Sequence, residues 1–239
     1  IKLNDDGFYN LMIGATDIGQ GSDTILAQIA AEELGARLDQ VIVYSSDSDL
    51  TPFDTGAYAS STTYVSGNAV YKAAKKMKEM LIEEAEQALG TTVTFDGETF
   101  IGENEKKMSL KALSNRLYYN EDQKQLTSTA SYVGHKSPPP FMAGFVEVDV
   151  DIETGEFDII DYVSVVDCGV TINPKLAQGQ VEGGIVQGIG MAVYEDVKIS
   201  KTGKMITNDL LNYRIPTRLE INKLTTEFAS SYEASGPFG

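Results

Sequence analysis

The sequence feature that most constrains the fold is an alternating run in the second half of the chain. Apolar and polar residues alternate in "FVEVDVDI" at 145–152, and β-branched and aromatic residues fill "FDIIDYVSVV" at 157–166. The "ETGE" between them supplies the glycine that tight turns favour. Successive side chains of a strand point to opposite faces, so this pattern predicts a two-stranded antiparallel hairpin.

Helical patterns occupy other parts of the chain. After Gly21, apolar residues recur at three- and four-residue steps, which predicts a helix with Ser22 or Asp23 as its N-cap and Gly35 as its end. Residues 67–89 predict a longer amphipathic helix. Strands and helices alternate without a strict βαβ order, so the sequence predicts an α+β fold with mixed or antiparallel sheets and helices packed on them. We expect two α+β lobes, 1–130 and 131–239, with their boundary near the rigid connector "SPPPF".

Charge and residue counts exclude several classes of function. The formal net charge of −16 would repel nucleic acid and an anionic membrane. No apolar stretch approaches the roughly 18 residues that span a bilayer, and the single cysteine, Cys168, fits a reducing compartment, so we expect a soluble cytoplasmic protein. One histidine and one cysteine are too few for a zinc site built from these residues. His135 lies beside "KSPPP", where a loop histidine is expected.

Three segments rich in glycine and polar residues are candidate binding elements, and the first is Ile18-Gly19-Gln20-Gly21. It lies between a predicted strand and a predicted helix. Glycines let the backbone approach a ligand closely, and a helix start offers unpaired N–H groups to an anion. The alternative is a tight strand-to-helix turn.

The second segment is "GAYASSTTYVSG" at 56–67, which places four hydroxyl side chains just before a helix. Ser60, Ser61, Thr62 and Thr63, together with backbone amides, could surround a phosphate without any basic residue. The alternative is an N-cap in a solvated loop.

The third segment is "GQVEGGIVQG" at 179–188. Gln180 and Gln187 are seven residues apart and fall near one face of a helix. A glycine costs roughly 1 kcal/mol in a helix, so a helix with this many glycines is expected to be approached closely by a backbone or a ligand. Tight helix–sheet packing would explain Gly183, Gly184 and Gly190 but not the polar Gln180.

Together these segments resemble the molybdenum-binding subunit of the xanthine dehydrogenase/aldehyde oxidase family. The likeness extends in order over nearly the whole chain, through "GATDIGQGSDTILAQIAAEELG", "DTGAYASSTTYVSGNAVYKAA" and "VDCGVTINPKLAQGQVEGGIVQGIGMAVYED". The two lobes would then be those of the molybdopterin-binding region.

The resemblance implies a molybdenum hydroxylase that oxidises a purine, a related N-heterocycle or an aldehyde, with water as the oxygen source. The metal would be held by molybdopterin, which in bacterial members usually carries a cytosine nucleotide, and not by protein side chains. Electrons would pass to 2Fe-2S clusters and FAD on partner domains or subunits.

The resemblance also assigns site residues by position. The loop around the pterin and molybdenum end would be Ile18, Gly19, Gln20 and Gly21. The loop around the phosphate portion would be Ala59, Ser60, Ser61, Thr62 and Thr63. Gln180 would also contact the pterin.

Two motifs of the family are missing from this sequence. No "GGFGGK"-type loop is present, and the chain stops at "EASGPFG", before the "GAKGxGE"-type motif whose glutamate is the family's catalytic base. Glu182, Glu195 and Glu233 do not stand at that position, so no catalytic residue is assigned. The resemblance therefore implies a C-terminal fragment that needs the N-terminal part of the same large subunit and has no turnover alone.

Two other functions fit the same segments. The chain could be a non-catalytic binding module for a phosphorylated small molecule or nucleotide, using the same loops without chemistry. It could also be a non-catalytic assembly subunit whose acidic face binds a basic partner.

Overall fold

The computed structural model describes residues 1–120 and 123–239, and it forms two compact units. Unit 1 consists of Ile1–Pro138 and Ala234–Gly239, and unit 2 consists of Pro139–Glu233. The lobes predicted from the sequence were 1–130 and 131–239. The units differ from these lobes in two ways, because their boundary falls at 138/139 and the last six residues pack with unit 1.

Unit 1 begins with a mixed sheet that a helix covers. Strands β1 (Lys2–Leu3) and β2 (Tyr9–Ile13) pair antiparallel, and β2 pairs parallel with β3 (Val41–Ser45). Helix α1 (Ser22–Leu34) connects the two parallel strands and ends at Gly35, whose φ of 69° lies in the left-handed region, as predicted. The predicted N-cap is wrong, because the residue at the N-cap position is Gly21, which has no side chain.

The remainder of unit 1 contains the long helix and a second sheet. A π-helical turn over Thr62–Ser66 continues into α2 (Gly67–Leu89), which has the predicted bounds. Strands β4 (Val93–Phe95), β5 (Thr99–Gly102) and β6 (Lys107–Ser109) form an antiparallel sheet, followed by α3 (Leu110–Tyr119). The core draws apolar side chains from the first sheet, α1 and α2, among them Leu11, Leu26, Ile29, Met77 and Leu81.

Unit 2 contains the predicted hairpin. Strands β7 (Phe141–Val150) and β8 (Phe157–Asp167) pair antiparallel, and β9 (Lys223–Phe228) pairs parallel with β8. Helix α4 (Pro174–Ile189) is capped by Asn173, whose side chain accepts a hydrogen bond from the Leu176 amide. Within unit 2, β7 is exposed along its whole length.

These elements confirm the α+β class. The described residues form three small sheets, two mixed and one antiparallel, together with four α-helices. None of these helices is both long and apolar enough to cross a membrane.

Candidate functional site

Side chains of the loop between β2 and α1 form hydrogen bonds with the backbone of the same loop. Gly19 and Gly21 have φ values of 102° and 82°, a region that glycine tolerates best. The Asp17 carboxylate accepts hydrogen bonds from the amides of Gly19 (2.9 Å), Gly21 (3.3 Å) and Asp23 (3.3 Å). The N–H groups that the sequence offers to an anion here are therefore already bonded to a carboxylate. The hydrogen bond from the Gly19 amide is the main reason why the pKa of Asp17 lies below its usual value.

Gln20 lies at the centre of this loop, and its side-chain amide makes only half of the hydrogen bonds that it can form. Its Nε2 donates to the Thr16 carbonyl at 2.9 Å, and its Oε1 accepts from the Ile18 amide at 2.6 Å. A primary amide has two N–H donors and two lone pairs on its oxygen. Gln20 can thus offer one further donor and one further acceptor without leaving its place. The neighbouring Ile18 side chain is 70% exposed.

Two buried polar atoms next to Gln20 have no partner. Ser22 Oγ, in a fully buried residue, and Asp23 Oδ1 make no hydrogen bond among the described residues. The other oxygen of Asp23 accepts from Ser45 Oγ at 3.0 Å. Buried polar atoms normally have partners, so orphaned ones at a loop call for an explanation such as a ligand. Both atoms are enclosed by protein, however, so they are unsatisfied groups of the fold and are out of reach of a ligand at the loop surface.

The hydroxyl-rich loop leads into the uncapped start of the α2 helical run. Ala59 and Ser60 have φ values of 53° and 54°, which are uncommon for residues with a Cβ atom. Ser61 Oγ donates to the Tyr58 carbonyl at 2.7 Å, so this hydroxyl closes the turn. No side chain caps the π-helical turn that begins at Thr62. The first N–H groups of a helix lack acceptors within the helix, so this start presents free donors.

The other hydroxyls of this loop are available to a ligand. Within the described part of the chain, Ser60, Thr62 and Thr63 have no hydrogen-bond partner for their side chains, and Ser60 and Thr63 are exposed. A helix start with nearby hydroxyl donors is a site for an anion such as a phosphate.

Asp54 links the hydroxyl loop to the end of β2. It accepts hydrogen bonds from Ser66 Oγ at 2.9 Å and from the Gly56 amide at 2.8 Å. A Cβ atom on Gly14, at the end of β2, would lie 2.8 Å from Asp54 Cβ. The π-helical turn also contacts α1. Asp54 and these contacts therefore link the hydroxyl loop to the end of β2 and to α1.

Gln180 lies in unit 2, exposed on α4 together with Gln187. Tight packing explains only one of the nearby glycines. A Cβ atom on Gly190 would lie 2.9 Å from Pro216, whereas one on Gly183 or Gly184 would meet nothing within 4 Å. The helix–sheet packing considered for Gly183 and Gly184 is therefore wrong within this unit. The glycine-rich surface of α4 is open there.

A groove in unit 2 was not anticipated from the sequence. It has a volume of about 590 Å³ and lies between α4 and the segment before β9, with Gly179, Glu182, Gly183 and Arg218 among its lining residues.

The role of Asp17 in unit 1 was also not predicted from the sequence. Its signal was local, since an aspartate two residues before a glycine commonly bonds to backbone amides just after it.

Comparisons with known proteins agree with this architecture. A family model of the molybdopterin cofactor-binding domain matches residues 1–222. The chain is 37% identical over 249 residues to a xanthine dehydrogenase molybdenum-binding subunit of Escherichia coli. The alignment covers 100% of this chain and 33% of that subunit. It is 28% identical to the carbon monoxide dehydrogenase large chain of Afipia carboxidovorans, again over 100% of this chain and 30% of the relative.

A solved structure shows the same fold. Quinoline 2-oxidoreductase from Pseudomonas putida 86 aligns with a TM-score of 0.88 at 26% identity, over 99% of this chain and 31% of that one. The chain thus spans about a third of the length of the curated relatives and of the solved structure.

Proposed function

This chain belongs to the molybdopterin cofactor-binding domain family of molybdenum hydroxylase large subunits, and from that premise we propose that it is the cofactor-binding part of an enzyme that oxidises a purine, a related N-heterocycle or an aldehyde. Water would be the oxygen source. When bound, the cofactor supplies the ligands of its own molybdenum and the redox chemistry. This chain's residues bind and orient it.

The observation that carries the proposal is the uncapped helix start behind Ala59, Ser60, Ser61, Thr62 and Thr63. Its free N–H groups and the unpartnered hydroxyls of Ser60, Thr62 and Thr63 form a donor set for the phosphate portion. The positive end of the α2 helical run adds to this attraction. No lysine or arginine is needed, which fits a strongly acidic chain.

Ile18, Gly19, Gln20 and Gly21 suit the uncharged pterin and molybdenum end. The Asp17 carboxylate already occupies the amides that would favour a phosphate, and its charge would repel one. Gln20 retains one donor and one acceptor, which match the mixed donors and acceptors of a pterin edge.

In unit 2 we assign a pterin contact to Gln180, which is exposed on the glycine-rich surface of α4. The cofactor would be the cytosine dinucleotide form. The partners would be iron–sulfur and FAD subunits or domains, together with the N-terminal part of the same large subunit, in a cytoplasmic enzyme. Because the chain spans about a third of its relatives, we expect turnover only with those other parts.

The test is the composition of the full-length enzyme purified from the organism that makes it. We expect about one molybdenum and one cytosine nucleotide per large subunit. A nucleotide without metal would instead support the non-catalytic binding module. The absence of both from an intact complex would overturn the proposal.

A further inference from the structure

Asp17 makes hydrogen bonds on both sides of Gln20. Its Oδ1 accepts from the Gly19 amide at 2.9 Å and from the Gly21 amide at 3.3 Å. Its Oδ2 accepts from the Asp23 amide at 3.3 Å. One carboxylate therefore holds the backbone immediately before Gln20, immediately after it, and at the first turn of α1.

The loop needs this support because its backbone is unusual. Gly19 and Gly21 both have positive φ, and glycine loses more conformational freedom on folding than other residues. A Cβ atom on Gly19 would meet nothing within 4 Å, so packing does not fix this part of the loop. The Asp17 hydrogen bonds are thus a main restraint on the backbone that carries Gln20.

We propose that Asp17 is a positioning residue, which fixes the backbone that presents Gln20 and keeps anions away from this end of the cofactor site. The inference rests on the proposed function, because it assumes that Gln20 contacts the cofactor. Asp17 acts through Gln20 and touches no reacting group. The lowered pKa of Asp17 keeps the carboxylate charged at neutral pH.

A second explanation is that Asp17 only stabilises the start of α1, since a carboxylate near a helix N-terminus is favourable. The two explanations differ in how Asp17 and Gln20 are coupled. If Asp17 positions Gln20, its loss has no further effect once Gln20 is absent. If it only stabilises the helix, the two losses add.

The experiment measures cofactor retention in the full-length enzyme, as molybdenum and extracted pterin per protein after gel filtration. The variants are Asp17→Ala, Asp17→Asn, Gln20→Ala and the Asp17→Ala/Gln20→Ala double variant. The control is Asp39→Ala, which removes an exposed carboxylate that pairs with Arg37, two residues earlier. Thermal midpoints are recorded for all variants.

We expect Asp17→Ala to release the cofactor about tenfold faster, as for the loss of one or two hydrogen bonds. Asp17→Asn should lose less cofactor than Asp17→Ala, because its Oδ1 still accepts from Gly19 and Gly21, although the bond from the Asp23 amide and the charge are lost. The double variant should be no worse than Gln20→Ala, and Asp39→Ala should match wild type. If Asp17→Ala does not fold, Asp17→Ser replaces it in the single and the double variant, because one hydroxyl cannot accept from all three amides.

Three results would overturn the inference while leaving the proposed function intact. The first is unchanged cofactor retention in Asp17→Ala while Gln20→Ala loses cofactor. The second is a loss of cofactor in the double variant that equals the sum of the two single losses. The third is an equal loss of cofactor in Asp17→Asn and Asp17→Ala. Unchanged retention in Gln20→Ala would instead count against the proposed function.

Discussion

The side-chain amide of Asn68 donates a hydrogen bond of 3.0 Å to the backbone carbonyl of Ser235, 167 residues further along the chain. It also donates to the Tyr64 carbonyl at 2.7 Å, and Asn68 is only 8% exposed. Nearby, the rings of Tyr71 and Phe238 meet edge to face with centroids 5.3 Å apart. One buried amide thus ties the last residues of unit 1 to the helix start that carries the hydroxyl loop.

Replacing Asn68 by alanine should loosen this connection. Two half-buried carbonyls would lose a donor, so we expect the free energy of unfolding of unit 1 to fall by about 1–3 kcal/mol. Proteolytic cleavage within 234–239 should become faster in the full-length protein. The control is Asn115→Ala, which removes an exposed amide that donates to the Asp5 carbonyl at 2.6 Å. Equal, small effects of both substitutions would contradict the structural role of Asn68.

Gly14 tests the contact between β2 and Asp54. A Cβ atom there would lie 2.2 Å from the Pro52 carbonyl oxygen and 2.9 Å from the Asp54 backbone nitrogen, and neither can move without displacing the loop bonded to Ser66. We expect Gly14→Ala to destabilise the protein by about 1–3 kcal/mol, as overpacking does. The midpoint of thermal unfolding should fall, and the phosphate portion of the cofactor should bind more weakly.

Gly184→Ala is the matched control for Gly14→Ala, because its Cβ atom would meet nothing within 4 Å in unit 2. Alanine is favoured over glycine in a helix by about 0.5–1 kcal/mol, so this variant should unfold at an equal or higher temperature. A larger loss of stability in Gly184→Ala than in Gly14→Ala would contradict the packing described for both glycines.

Removal of the free hydroxyls tests the phosphate end of the site. We expect the triple substitution of Ser60, Thr62 and Thr63 by alanine to weaken cofactor binding by about 1–3 kcal/mol, measured as nucleotide retained per protein. The thermal midpoint of cofactor-free protein should change little, because these side chains have no partners among the described residues. Thr92→Ala removes an exposed hydroxyl elsewhere in unit 1 and should have no effect. Full retention in the triple variant would contradict the assignment.

The pH dependence of the Gln20 loop follows from Asp17. Its pKa in the folded protein lies below the usual 3.8, chiefly because of the Gly19 amide. A lowered pKa in the folded state stabilises the fold fully above the unfolded value, and this contribution disappears as the pH falls through the folded value. Hydrogen exchange of the Gly19 and Gly21 amides, corrected for intrinsic rates, should therefore accelerate below that range. The acceleration should be absent in Asp17→Asn.

The sequence alone was enough for features that rest on local patterns. The 3.6-residue periodicity of α2 and the glycine after α1 predicted helices with the observed ends. The strand alternation before and after "ETGE" predicted the β7–β8 pairing. Such features depend on residues close together in the chain, so they can be inferred without a three-dimensional context.

Features that depend on distant residues were not predictable. The N-cap of α1 was expected to be Ser22 or Asp23, but Asp17 supplies the acceptors from further back in the loop. The return of Ala234–Gly239 to unit 1 depends on a contact across 167 residues, for which no local signal exists. The open surface at Gly183 and Gly184 likewise appears only when the neighbours of each glycine are known.

A structure of the full-length enzyme with its cofactor bound tests the central claim most directly. We predict a phosphate oxygen within hydrogen-bond distance, about 2.7–3.2 Å, of the Thr62 or Thr63 donors, and the pterin or molybdenum end beside the Gln20 amide. A cofactor whose phosphate lies beyond reach of the hydroxyl loop, or whose metal end contacts neither Gln20 nor Gln180, would contradict it.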